Sequence, residues 1–303
     1  MTSVLYDVPG PKARRLSLVL SIVGGAVILA GLIGLVVFLS QPRENAAGVA
    51  QPGMFDPSRW DIILDRALWR AVGRGLIATL QMAGLGAVGA IVIGVVLSMA
   101  RTARPAFVRI PAIVIIEFFR GMPVLLMMFF ILLVLSTGQL AAGVWALAVY
   151  NGAVIGEALR AGIASLPKGQ RESGLAIGLT PLQTRFSIEY PQAFRQMLPI
   201  IIAQLVVLLK DTSLAYILGY QELLNVVLKQ GTTTFGPTYL FTLFFVVWAV
   251  YLAVNLTLSY LARLVARRTA AGAGGAKSRR SARVLAQLGG AGVNGVGDSG
   301  PKR

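Results

Sequence analysis

The 303-residue chain contains no cysteine and no histidine. Their absence removes thiol nucleophiles, imidazole bases, disulfide frameworks and most zinc and copper sites. No metal site and no cofactor are therefore expected. Acidic side chains are also scarce, 12 against 28 basic ones, and they are scattered where a hydrolytic site would need them gathered. Neither a G-x-x-x-x-G-K-[ST] phosphate loop nor a G-x-S-x-G elbow occurs in the chain. No catalytic residue is expected, and any ATP consumed must be bound by another chain.

What the chain has in quantity is apolar surface. With 56% hydrophobic residues, 13% charged residues and a mean hydropathy of +0.73, it reads as an all-α integral membrane protein. The net charge of +16 would point to nucleic acid in a soluble domain. Here the basic residues sit between and after apolar runs, so they bear on orientation, and no nucleic-acid partner is expected. A crossing helix needs about 20 apolar residues, and six stretches approach that: Leu16–Leu39, Leu76–Met99, Pro123–Leu135, Val144–Ile163, Leu198–Leu218 and Phe241–Leu261. The third is short unless it recruits the apolar residues upstream of Arg120. The first exceeds a signal-peptide core and reads as a retained extra helix, with cleavage near A-A-G-V-A as the alternative.

Six spans place both termini on one side. With the termini cytoplasmic, 21 Lys and Arg fall inside and 6 outside, Lys210 lying within a span. The expected organisation is a cytoplasmic N-terminus (1–15), an extra transmembrane helix (16–40), an extracytoplasmic segment (41–75), a transmembrane domain (76–262) and a basic tail (263–303). In the extracytoplasmic segment Arg66, Arg70 and Arg74 recur every four residues beside Trp60, Leu64, Leu68 and Trp69, the pattern of an interfacial amphipathic helix. The tail is rich in Gly, Ala, Ser and Arg and has too few large apolar residues to bury a core.

A polar island, Pro167–Pro199, interrupts this apolar background. Lys168–Ile177 contains helix formers; Gly178 is suited to end that helix, and Thr180-Pro181 to cap and start another. The expectation is helix, tight turn, helix, the second running from Leu182 to Tyr190 before Pro191. Leu182, Phe186 and Glu189 would share one face of it, a shape able to enter a groove on a soluble partner.

The island resembles the cytoplasmic loop of ATP-binding-cassette importer permeases, E-A-A, three residues, Gly, nine residues, I-x-L-P. Glu172, Gly178, Ile188 and Pro191 fall on that spacing, while Ser173 and Gly174 replace the alanines and Tyr190 the leucine. Further blocks resemble the polar amino-acid branch: Thr79-Leu-Gln81, E-F-F-R-G-M-P at 117–123, I-G-E-A-L-R-A-G-I at 155–163, L-P-K-G-Q at 166–170 and L-L-K-D-T-S-L at 208–214. The N-terminal L-Y-D-V-P-G-P-K-A-R-R further resembles actinobacterial glutamate permeases. The resemblance implies a five-helix core preceded by one extra helix in the bacterial plasma membrane. It also implies a second permease subunit in a heterodimer or homodimer, a cytoplasmic ATPase dimer and an extracytoplasmic amino-acid-binding protein. The coupling element would include Gly169, Glu172, Gly178, Ile188 and Pro191. Gly at 174 would loosen its first helix by about 1 kcal/mol relative to Ala.

Charges inside the apolar runs are costly and mark candidate pathway residues. Lys210, Asp211, Thr212 and Ser213 either pair locally and with other helices or line a substrate route. Glu157 and Arg160 lie three apart and can pair. Asn151 on the same span is expected to face a similar direction, and Gln204 completes the set. Two other functions remain open from residues alone: a secondary amino-acid carrier, which would show internal repeats, and an intramembrane enzyme, which would show clustered acids.

Overall fold

The computed structural model describes residues 10–44, 48 and 50–264. The N-terminal segment that resembles glutamate permeases and the tail from 265 onward fall outside the described residues, apart from Gly10–Arg15. Almost everything described is helical. Among the described residues, five helices are long and apolar enough to cross a membrane, or six if one bent pair counts as a single crossing.

The chain divides into two compact units. The first comprises residues 1–70 and 228–245. It holds α1 (Pro11–Ser40), which buries none of its residues in the protein, so its apolar surface is left for lipid. A two-stranded hairpin follows, β1 (Arg43–Glu44) pairing antiparallel with β2 (Ala50–Gln51). Arg59 is 5% exposed and fixes this unit: its guanidinium donates to the carbonyls of Pro52 and Thr238 and to Gln51 Oε1. Thr242 Oγ1 in turn donates to the Arg59 carbonyl at 2.6 Å. Trp60 and Phe55 pack edge-on against Phe241.

The second unit, residues 71–227 and 246–303, carries the main core. Its helices are α2 (Arg66–Arg101), whose first five residues belong to the first unit, α3 (Ala106–Gly121), α4 (Val124–Val134), α5 (Gln139–Ala164), α6 (Lys168–Ala176) and α7 (Pro181–Tyr216). The helical segment α8 (223–235) and the long α9 (Pro237–Leu264) follow, and each straddles the unit boundary. Small residues let α2 and α5 approach closely. A Cβ on Gly94 would meet Ile155 Cγ2 at 2.8 Å, and one on Gly152 would meet Ile93 Cγ2 at 2.7 Å.

Three boundaries differ from the sequence expectation. Arg66–Arg74 is not a separate interfacial helix but the first turns of α2, whose 36 residues extend about 54 Å. Its charges are exposed as the pattern required. The third span does not recruit the residues before Arg120 as one rod, because α3 and α4 meet at a bend of 104°. A four-residue linker joins α2 to α3, and Glu117 of α3 pairs with Arg101 at 3.1 Å. The α3–α4 pair is therefore a bent unit that supplies at most one crossing. α4 alone is about 16 Å long. Finally, the island's second helix does not stop before Pro191. α7 runs from Pro181 through Pro191 and Pro199 to Tyr216. A π-helical turn at Arg185–Glu189 precedes Pro191, with the Tyr190 N–H bonded five residues back to Arg185. That widened turn accommodates the hydrogen bond the proline cannot make.

Candidate functional site

The island forms α6, a left-handed turn and the first turns of α7. Gly178 has φ +85° with open space around it, so its glycine is required by conformation rather than by crowding. Thr180 begins α7 with a capping box: its hydroxyl accepts from the Gln183 N–H, and Gln183 Oε1 accepts from the Thr180 N–H at 2.8 Å. Gly174 has the opposite role to Gly178. It is buried, and a Cβ there would lie 2.6 Å from Thr184 Cγ2 and 2.9 Å from Ile188 Cδ1. The expected loosening of α6 is thus offset by close packing onto α7.

This packing turns one set of side chains outward. Ile177, Leu182 and Phe186 are 76%, 60% and 45% exposed around the turn, an unusual concentration of apolar surface on a segment this polar. Glu172 is also exposed, along a groove of about 500 Å³ shared with Lys168, Leu175 and Glu189. Gly169 is exposed, and its carbonyl accepts from Ser173 Oγ. Pro191 is exposed, whereas Ile188 is half-buried against Gly174. Glu189 does not share the outward face with Leu182 and Phe186, as their spacing suggested. It is buried and paired with Arg185 at 3.4 Å, and Arg185 Nη1 also donates to the Thr102 carbonyl. The loop is therefore tied to the end of α2.

The charged residues of the spans separate into distinct places. Glu157 receives three hydrogen bonds from Arg160, at 2.7 to 3.0 Å, and pairs with Arg101 at 3.3 Å. Arg101 also reaches Glu117, which pairs with Arg120 at 3.4 Å. Asn151 does not face the same way as Glu157. Six residues rotate the helix by about 240°, and Asn151 is fully buried, accepting from Gln204 Nε2 at 2.8 Å. Lys210 is exposed and Asp211 half-buried, and neither makes an ion pair within 4 Å among the described residues. Thr212 and Ser213 donate to the carbonyls of Leu209 and Lys210.

Glu222 was not among the expected residues. It is fully buried, and its carboxylate accepts from the Leu224 and Asn225 N–H groups at 2.9 and 2.7 Å and from Tyr251 Oη at 2.7 Å. It caps α8. Burial pushes its carboxyl above the ordinary range, and these hydrogen bonds oppose the shift. Thr79 Oγ1 accepts from the neighbouring Leu223 N–H. A lone acid in an apolar segment was the available signal.

Residues 90–271 match the family described as the binding-protein-dependent transport system inner membrane component. The chain belongs to this family of ATP-binding-cassette importer permeases. The permease is 38% identical over 229 residues to the glutamate transport system permease protein GluD of Corynebacterium glutamicum, covering 73% of this chain and 83% of that one. It is 35% identical over 195 residues to the probable glutamine ABC transporter permease protein GlnP of Bacillus subtilis, 62% of this chain and 89% of the relative. The crystal structure of an amino acid ABC transporter with histidines is similar in fold, with TM-score 0.59 and 25% identity over 66% of this chain and 94% of that chain. The permease is thus a multi-pass subunit of a bacterial plasma-membrane amino-acid importer that depends on a binding protein, with ATP hydrolysis on a separate chain. A self-sufficient carrier finds no support among these relatives.

Proposed function

We propose that the permease imports glutamate or a closely related polar amino acid, and that residues 167–199 couple it to the ATPase dimer. In this reading the loop and both termini are cytoplasmic, in keeping with the 21 to 6 distribution of basic residues. The observation that carries the coupling role is the exposed apolar turn Ile177, Leu182 and Phe186, held rigidly by the Gly174 contact and the Thr180 cap. Glu172 beside it supplies a charged contact, and Gly169, Gly178, Ile188 and Pro191 shape the element. The partner across the translocation route is a second, non-identical permease subunit. Asn151 and Gln204, paired at 2.8 Å, and Lys210, Asp211, Thr212 and Ser213 belong to that route. Glu157 contributes at its loop-side end through the Arg101 and Arg160 pairs. Glutamate follows from the similarity to GluD and from the resemblance of the N-terminal segment.

The test is uptake by proteoliposomes containing the complete importer and its binding protein, with unlabelled glutamate, aspartate, glutamine or arginine as competitors. Strongest competition by glutamate is expected. Equal or stronger competition by arginine would overturn the substrate assignment.

A further inference from the structure

A cavity of about 740 Å³ lies where the end of α2, the start of α3 and the α6–α7 turn meet, and its charged lining has one sign. Arg104, Arg109, Arg171 and Arg185 line it, and no carboxylate does. Arg185 is engaged by Glu189 and the Thr102 carbonyl. Arg104, Arg109 and Arg171 have no carboxylate within 4 Å among the described residues. The rest of the wall is mostly apolar, including Met99 of α2 and Val108 of α3.

The lining and the position of the cavity bear on its occupant. α2, long and apolar enough to cross a membrane, ends at Arg101 beside the cavity, so the cavity sits at the end of a span. A ligand here meets guanidinium groups together with an apolar wall, supplied by Val96, Met99 and Ala100 of α2, Val108 of α3 and Leu182 of α7. A phospholipid offers a match for both, a phosphate for the guanidinium groups and acyl chains for the apolar wall. Guanidinium groups match phosphate oxygens in geometry as well as charge, and basic pockets between transmembrane helices suit anionic headgroups. A free phosphate would satisfy the arginines but leave the apolar wall unused.

We propose that this cavity binds the headgroup of an anionic phospholipid and that the lipid bridges Arg104 and Arg109 of the membrane domain to Arg171 of α6. The bilayer then helps to seat the loop. The site goes beyond the transport assignment and does not depend on which amino acid is carried.

The test uses the purified full-length chain in phosphatidylcholine nanodiscs with and without phosphatidylglycerol, with retained lipid read by native mass spectrometry. Arg104 and Arg109 are exposed, so Arg104→Gln/Arg109→Gln should melt like the wild type. It should retain phosphatidylglycerol roughly 10- to 30-fold less well. Arg104→Lys/Arg109→Lys keeps the charge and should keep the lipid. Excess inorganic phosphate should leave the lipid in place. Unchanged retention in the Gln variant, loss from the Lys variant, or displacement by phosphate would each overturn the proposal. So would release of phosphatidylglycerol when the ATPase binds, which would assign the arginines to an acidic face of that protein.

Discussion

Gly174 and Gly178 lie four residues apart and serve opposite ends. Gly178 supplies a left-handed backbone that an L side chain enters at a cost of roughly 1–2 kcal/mol. Gly174 supplies absence of volume, since Thr184 and Ile188 occupy the place of its Cβ. Gly174→Ala is therefore expected to lower stability by about 1–3 kcal/mol, read as a fall in the melting temperature of the detergent-solubilised permease. A melting temperature equal to or above wild type would show that Ala's helix propensity outweighs the contact. Glu222 makes a pH prediction. Its folded-state carboxyl lies above the ordinary value of 4.5 because burial disfavours its charge. Between the unfolded and folded values the native state holds more protons, so its contribution to stability is present at low pH and declines as pH rises through the raised value. The Glu222→Gln variant should lack that decline, and it loses one of the acceptor positions at the start of α8, costing about 1–3 kcal/mol. Unfolding followed across the acidic range checks both. The local signs were readable in the residues: a positive-φ glycine before Thr-Pro and an i, i+3 Glu157–Arg160 pair. Glu222 was not, because its partner Tyr251 is 29 residues away and only tertiary packing brings them together.

At the scale of elements, the ends of α2, α3 and α5 are joined by Arg101, which bonds both Glu117 and Glu157. These side chains are partly exposed, so screening limits each pair. The network matters more for where it holds α3 than for its total energy. Glu157→Gln should cost about 1–3 kcal/mol. A double-mutant cycle with Arg101→Gln should show coupling of at least about 0.5 kcal/mol, and strict additivity would mean that the 3.3 Å pair contributes nothing. Element boundaries were the least legible part of the sequence. Pro191 reads as a stop, yet a π-helical turn lets α7 continue through it. The apolar residues on both sides of Arg120 read as a candidate span, yet the 104° bend divides them. In both cases the decisive feature is a local backbone geometry that composition does not encode.

At the scale of the molecule, composition placed the chain in a membrane and the lack of Cys, His and a phosphate loop argued against on-chain chemistry, while the resemblance of the ordered motif blocks pointed to importer permeases. The match over residues 90–271 leaves α1 outside the family core, in keeping with an added N-terminal helix that buries nothing within the chain. An exposed apolar turn, held by the Gly174 contact and the Thr180 cap, joins α6 to α7. In the proposed coupling role its task is to pass the closure of the ATPases into the spans. The most direct test is binding-protein-stimulated ATP hydrolysis by the reconstituted importer carrying Gly178→Pro or Glu172→Lys, each confirmed to be inserted in the membrane. The expected result is loss of stimulation in both, and wild-type stimulation in both would contradict coupling through this loop.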